Sequence, residues 1–260
     1  MSEKLHIALV QPELYWHDPK KNFSQIEAMV STIEDAELIV LPEMWSTGFT
    51  MKAEKYQHHS EEGVALMKKW SLAQKAAIIG SLIIHEDGHN YNRLFYVKEG
   101  KVDAIYDKRH LFAYAGEDRY YNPGSKRLTI ELNSWKIFPN ICYDLRFPVW
   151  CRNTDDYDIL LFSANWPSQR IEAWDTLLKA RAIENQCYVL GVNCIGKDVW
   201  KNDYVGHSSI ISYDGGIIET LHNKSGILRQ ALEKKSMHDF RENLPFLKDR
   251  DSFKFNDLEI

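Results

Sequence analysis

Short apolar runs that alternate with amphipathic ones constrain this chain more than any other feature. Leu5-His6-Ile7-Ala8-Leu9-Val10 reads as a buried strand, and Phe23, Ile26, Met29, Val30 and Ile33 then recur at helical spacing. Glu37-Leu38-Ile39-Val40-Leu41-Pro42 is the next strand, stopped by its proline. Val64, Met67, Trp70, Leu72 and Ala73 predict a second helix, and residues 77–84 a further strand. Residues 93–98 and 102–107 flank Glu99-Gly100-Lys101, a hairpin signal. Strands follow at 135–140 and 157–163, then a helix over 171–184 and the apolar run 187–192. The last part reads as antiparallel, with 207–212, the turn Asp214-Gly215-Gly216, 217–221 and 226–232. Strands alternating with helices early, and hairpins mixed in later, predict an α/β fold of sheets covered by helices.

No proline-, glycine- or serine-rich linker divides the 260 residues, and no internal repeat is visible, so 1–260 reads as one domain. Residues 236–260 carry Phe240, Leu244, Phe246, Leu247 and Phe253 among many charges. They read either as a C-terminal arm packed on the domain or a partner subunit, or as a partly ordered tail. A net charge of −5 gives no electrostatic reason to expect nucleic acid or an anionic membrane as partner. No apolar run approaches the ~18 residues that span a bilayer, and Met1-Ser2-Glu3-Lys4 passes into a strand without a signal-peptide core. Cys142, Cys151, Cys187 and Cys194 have neither metal nor disulfide spacing, and Cys187 and Cys194 fall in one strand-like run. A reduced, cytoplasmic setting is the expectation.

Three predicted strand ends carry reactive side chains. Glu43 follows Leu41-Pro42, Lys108 follows Tyr106-Asp107, and Cys142 follows 135–140. Each alone also reads as a surface charge or, for the cysteine, as core filling. Their shared position makes convergence on one site plausible, and the chemistry is coherent. A free thiol has a pKa near ~8.5 and needs a base, which a neighbouring carboxylate supplies. A lysine stabilises both the thiolate and the oxyanion formed at an attacked amide carbonyl, with the Tyr143 backbone N–H as a second donor. A second carboxylate activates the water that hydrolyses the thioester.

The segments around these residues carry a resemblance. Leu41-Pro42-Glu43-Met44-Trp45-Ser46-Thr47-Gly48-Phe49, Asp107-Lys108-Arg109-His110-Leu111-Phe112 and Ile141-Cys142-Tyr143-Asp144-Leu145-Arg146-Phe147-Pro148 resemble the three signature segments of the nitrilase (carbon–nitrogen hydrolase) superfamily, in the family's order. Ser163-Ala164-Asn165-Trp166-Pro167 and Arg181-Ala182-Ile183-Glu184-Asn185-Gln186 match further, and the similarity extends to about residue 232. The combination most resembles the omega-amidase branch. The resemblance implies an αββα sandwich of two mixed β-sheets packed face to face with helices outside. It implies Glu43 as general base, Lys108 as oxyanion stabiliser, Cys142 as nucleophile, and a second glutamate shortly before a Pro-Gly pair. Glu117 matches that spacing before Pro123-Gly124, with Asp118 the competitor.

Omega-amidases cleave the terminal amide of short 2-oxo acids such as 2-oxoglutaramate and 2-oxosuccinamate. Such a substrate needs a cation at the far end of the pocket. Arg146 is the candidate, since guanidinium binds carboxylate bidentately; it reads equally as a structural partner of Asp144 or a neighbouring carboxylate. Trp45, Phe49, Tyr114 and Trp166 are candidate pocket walls, or ordinary packing. Neighbouring readings are a nitrilase, a carbamoyl-amine hydrolase, another amidase, or a binding protein that turns nothing over. The family is usually oligomeric, which places a homodimer contact at the helix 171–184 and the C-terminal arm. No cofactor is expected, only an amide substrate and water.

His58-His59, and His85 with His89 across Asp87-Gly88, lack metal-site geometry, so no metal is expected. Asp214-Gly215-Gly216 is a turn and not a phosphate loop. His207 reads as a packing or hydrogen-bonding histidine rather than a partner for a cysteine.

Overall fold

A computed structural model describes residues 3–255. The elements run β1 (Lys4–Gln11), β2 (Glu13–Tyr15), α1 (Pro19–Val30), β3 (Leu38–Val40), α2 (Ala53–Tyr56), α3 (Ser60–Ala73), β4 (Ala77–Glu86), β5 (His89–Lys98) and β6 (Lys101–Asp107). They continue with β7 (Ile130–Leu132), β8 (Trp135–Ile141), α4 (Pro148–Cys151), β9 (Ile159–Ser163), α5 (Ile171–Asn185) and β10 (Tyr188–Val192). Last come β11 (Ile195–Lys197), β12 (Asp203–Ile211), β13 (Ile217–His222), β14 (Gly226–Glu233) and α6 (Lys234–Asn243).

One sheet has the order β14-β1-β3-β4-β5-β6; the other has β2-β11-β12-β10-β9-β8-β7, with β13 on β12. Both mix parallel and antiparallel pairs: β1 is parallel to β3 and antiparallel to β14, and β9 is parallel to β8 and β10 while β12 is antiparallel to β10. Strand periodicity builds the layers. Leu5, Ile7 and Leu9 of β1 face the other sheet and share a core with Ile137, Ile141 and Ile159. Ala8 and Val10 face outward onto Phe23, Ile26 and Val30 of α1 and Met67 and Trp70 of α3. On the far side, Trp174, Leu178 and Ala182 of α5 cover the second sheet. The result is the αββα sandwich.

Helix α1 begins at Pro19, with the Asp18 carboxylate accepting from the Lys21 N–H at 3.2 Å. It ends before Ile33, because the Ser31 and Thr32 hydroxyls bond back to the carbonyls of Ala28 and Met29. Cys187 and Cys194 do not share a strand: they flank β10 on either side, both buried. β14 leaves the second sheet to pair with β1. Buried Gln11 organises that crossing, donating to the carbonyls of Leu221 (3.0 Å) and Lys224 (2.8 Å) and accepting from the Ser208 N–H (2.9 Å). The C-terminal arm packs on its own chain: Met237 is buried, Arg241 donates to the carbonyls of Gln186 and Tyr157, and the Phe255 ring meets Trp150 edge-on. The last five residues of the predicted arm, 256–260, lie outside the described residues.

Candidate active site

The C-terminal ends of β3 and β6, from one sheet, and of β8 and β9, from the other, meet at one point. Glu43 lies three residues past β3, Lys108 directly follows β6, Cys142 directly follows β8, and Asn165 lies two residues past β9. Gly124 helps fix Lys108: its N–H donates to the Lys108 carbonyl at 2.9 Å. A Cβ at Gly124 would stand 2.1 Å from the Asp107 carbonyl oxygen, so only glycine permits this approach.

Lys108, Glu43 and Glu117 are each at most 1% exposed. The Lys108 ammonium donates to Glu43 Oε1 at 2.8 Å and to both Glu117 oxygens at 3.0 and 2.9 Å, and lies 5.1 Å from the centre of the Phe49 ring. Glu43 also accepts from Asn92 Nδ2 (2.7 Å) and from the backbone N–H of Asn165 (3.0 Å). Glu117 accepts the Phe112 N–H. Burial works against the Lys108 charge, but the carboxylates of Glu117 and Glu43 outweigh it and hold the lysine well above its usual range. Burial pushes the Glu117 carboxyl upward; Lys108 opposes this, and the negative charge of Glu43 adds to it. Asp118, the alternative at this position, is exposed.

Cys142 starts a single 3-10 turn, Cys142–Arg146, with φ of +44°. That left-handed backbone disfavours a side chain and costs on the order of 1–3 kcal/mol, which the surroundings must offset. Asp144 supplies part of the restraint. Its buried carboxylate accepts from the Ile141 N–H (3.0 Å), the Tyr106 hydroxyl (2.8 Å) and both the N–H and Nδ1 of His110 (2.9 and 2.7 Å). The end of β8 is thereby tied to the loop that follows Lys108. The half-buried Cys142 thiol points at the Asn165 carbonyl, 3.9 Å away, and lies close enough to Glu43 to feel its charge. Burial and then the charge of Glu43 push the thiol well above its usual range, and Lys108 pulls it back in part. A thiol so placed is protonated at rest beside a carboxylate able to take its proton, with an ammonium beside both. Attack on a carbonyl is the chemistry such a group can perform.

These groups form one wall of a cavity of about 530 Å³, which Phe49, Tyr143, Arg146, Trp166 and Tyr114 also line. Arg146 lies over the Trp166 ring at 5.1 Å, and among the described residues it pairs with no carboxylate; Asp144 is taken by Ile141, Tyr106 and His110. Tyr143 meets Phe112 and Phe147 edge-on. Tyr114 is 88% exposed and stands at the rim rather than in a wall. Trp45 is not a wall at all: it is fully buried on the outer face of the first sheet between Phe23 and Trp70. His207 pairs with Asp175 at 2.8 Å and stacks on His222, away from the thiol. The thiols of Cys151, Cys187 and Cys194 are buried, and burial pushes Cys187 up to about 12.

Sequence reasoning left Asn165 without a role, although its segment was singled out. Its N–H and side-chain amide hold the Glu43 carboxylate (3.0 Å) and carbonyl (2.6 Å), its carbonyl faces Cys142, and its Oδ1 accepts from Cys194 Sγ at 3.0 Å. Asn92, Arg170 and the loop carrying Asp198, Trp200 and Asn202 were also missed.

Residues 6–242 match the carbon–nitrogen hydrolase family. The chain is 39% identical to omega-amidase YafV of Yersinia enterocolitica over 250 residues, covering 96% of this chain and 98% of that one. It is 32% identical to the 2-oxoglutaramate amidase of Bacillus subtilis strain 168, covering 95% and 97%. The crystal structure of XC1258 from Xanthomonas campestris, a CN-hydrolase superfamily protein with an arsenic adduct in its active site, superposes with a TM-score of 0.95 at 36% identity, covering 98% of this chain and all of that one. With the sandwich and the family match spanning most of its length, this chain belongs to the carbon–nitrogen hydrolase family.

Proposed function

We propose that the chain is an omega-amidase that hydrolyses the terminal amide of small 2-oxo dicarboxylic acid monoamides, such as 2-oxoglutaramate, to the acid and ammonia. The observation that carries this reading is the cluster in which Cys142, Glu43 and Lys108 line one cavity while Lys108 bridges the buried Glu43 and Glu117. Glu43 takes the thiol proton as sulfur bonds to the amide carbon, and Lys108 stabilises the oxyanion with the Tyr143 N–H. Glu43 returns the proton to the amine as the C–N bond breaks, and ammonia leaves a thioester. Water then attacks the thioester carbon and gives one proton to the Glu117–Glu43 pair, which passes it to sulfur as the C–S bond breaks, leaving the free acid and the restored thiol. The substrate class is supported by the names of the relatives and by Arg146, a guanidinium lining the cavity that pairs with no carboxylate among the described residues. The reading includes assembly as a homodimer, supported by the exposed Ile183 of α5 and Phe246 of the arm.

The test is ammonia release from 2-oxoglutaramate, glutamine, a simple nitrile and an N-carbamoyl amine, by wild type and Cys142→Ala together. The reading expects 2-oxoglutaramate to be the best substrate and the variant to be inert. Preference for the nitrile or the carbamoyl amine would replace it with another hydrolase of the family.

A further inference from the structure

We propose that Arg170 is a second cation of the substrate pocket and that, with Arg146, it determines specificity for amides whose far end is a carboxylate beside a carbonyl oxygen. This rests on the omega-amidase reading and goes beyond it by assigning a residue on a different element, outside the five motif segments. Arg170 closes a short turn, Ser168–Arg170, just before α5, and its guanidinium lies over the Phe112 ring at 5.0 Å. Trp166 joins the two arginines: Arg146 lies over its indole ring, while its Nε1–H donates to the Arg170 carbonyl at 2.8 Å. Phe112, in turn, holds Glu117 through its backbone N–H. Both arginines are therefore set on aromatic side chains that belong to the active-site walls, and both line the same cavity.

What marks the pair is what the guanidiniums lack. Arg93, Arg109, Arg127, Arg152, Arg181 and Arg241, buried or half-buried elsewhere, all donate to carboxylates or carbonyls. Arg146 and Arg170 are half-buried too, yet among the described residues neither guanidinium donates a hydrogen bond to the protein, and each only lies over a ring. A ring contact engages the face of a guanidinium and leaves its N–H edge for a planar acceptor. The anions nearby do not satisfy that edge. Glu43 is held by Lys108, Asn92 and Asn165, and Asp198 accepts from the N–H groups of Trp200 and Asn202, from Asn202 Nδ2 and from the Tyr204 hydroxyl. The pocket thus offers two cations to the distal end of a bound amide. A 2-oxo acid supplies acceptors to both, whereas a 2-amino acid brings an ammonium into a positive field.

The experiment compares full-length wild type, Arg170→Gln and Arg170→Lys on 2-oxoglutaramate, glutaramate (the same chain without the 2-oxo group), glutamine and the uncharged butyramide. Losing a charge-assisted bond predicts that Arg170→Gln lowers kcat/KM for 2-oxoglutaramate by about 10–100-fold, mainly through KM. The loss for glutaramate is smaller, glutamine is less disfavoured relative to 2-oxoglutaramate, butyramide changes by less than about 2-fold, and Arg170→Lys recovers part of the loss. Equal losses on all four substrates would make Arg170 structural, and unchanged KM values would remove it from the pocket; either overturns the proposal. A wild type that cleaves butyramide as well as 2-oxoglutaramate instead overturns the omega-amidase reading, and this inference with it.

Discussion

Replacing Lys108 with methionine keeps most of the apolar stem of the side chain and removes the cation that bridges Glu43 and Glu117. Glu43 and Glu117 have no exposed surface, and the ammonium sits 2.8–3.0 Å from both. Breaking a buried ion pair by removing one partner typically costs about 3–5 kcal/mol, because the remaining charge is left uncompensated. For a protein of this size that lowers Tm by on the order of 6–20 °C. The loss depends on pH with a definite sign. The Glu117 carboxyl is already pushed upward by burial and by Glu43, and Lys108 is what opposes the rise. Without Lys108 its folded pKa rises further. A raised carboxyl contributes stability that is present below the unfolded pKa of ~4.3 and is lost as pH rises through the folded pKa. Lys108→Met is therefore closest to wild type near pH 5 and furthest below it near pH 8, and adding Glu117→Gln restores much of the Tm at pH 8. On the proposed mechanism activity does not return with stability, since loss of an oxyanion donor alone removes about 100–1000-fold in kcat. The assay is calorimetric Tm from pH 5 to 8 on the single and double variants, alongside ammonia release. A single variant within 2 °C of wild type at pH 8, or a double variant that regains turnover, would refute the electrostatic account.

Glu43→Gln separates thiol reactivity from turnover. The charge of Glu43 is one of the causes that raise the Cys142 thiol, while Lys108 lowers it. The variant should thus lose about 100–10,000-fold in turnover while its iodoacetamide alkylation midpoint moves to lower pH; a midpoint moved upward contradicts this. Asn165→Asp should be at least as damaging to kcat as Asn165→Ala, because a carboxylate cannot donate to the Glu43 carbonyl, and a more active Asp variant would deny Asn165 a positioning role. His17 is depressed by burial, then by Lys52 and Lys55, and its Nε2 lies 2.8 Å from the Thr50 hydroxyl. Its contribution is present above its unfolded pKa of ~6.5 and is lost as pH falls through the lower folded value. His17→Gln should flatten the fall in Tm between pH 7 and 5, and an unchanged slope would remove His17 from the acid response.

The layers, and the strand ends that bring Glu43, Lys108 and Cys142 to one cavity, were legible because each rests on local pattern. Apolar runs ending at Glu43, Lys108 and Cys142 mark places where a sheet stops and a side chain meets solvent or substrate. What stayed illegible depends on contacts distant in sequence. Nothing near Gln11 announces that it will hold a turn more than 200 residues away and send β14 to the other sheet. Spacing left Glu117 and Asp118 open; the left-handed Gly116 starts a one-turn helix that buries the first and exposes the second. Trp45 lies two residues from Glu43, yet faces away from it because Gly80 makes room: a Cβ there would come within 3.0 Å of the indole. Arg170 carries no local sign, since what marks it is a guanidinium that donates no hydrogen bond among the described residues.

The central claim is that Cys142 is the nucleophile of an amide hydrolase, and ammonia release from 2-oxoglutaramate by Cys142→Ala tests it most directly. The thiol contributes one long contact, to the Asn165 carbonyl, so the variant should fold with a Tm near that of wild type. The account predicts a folded protein with no measurable turnover. A folded variant that releases ammonia at a near-normal rate would contradict it.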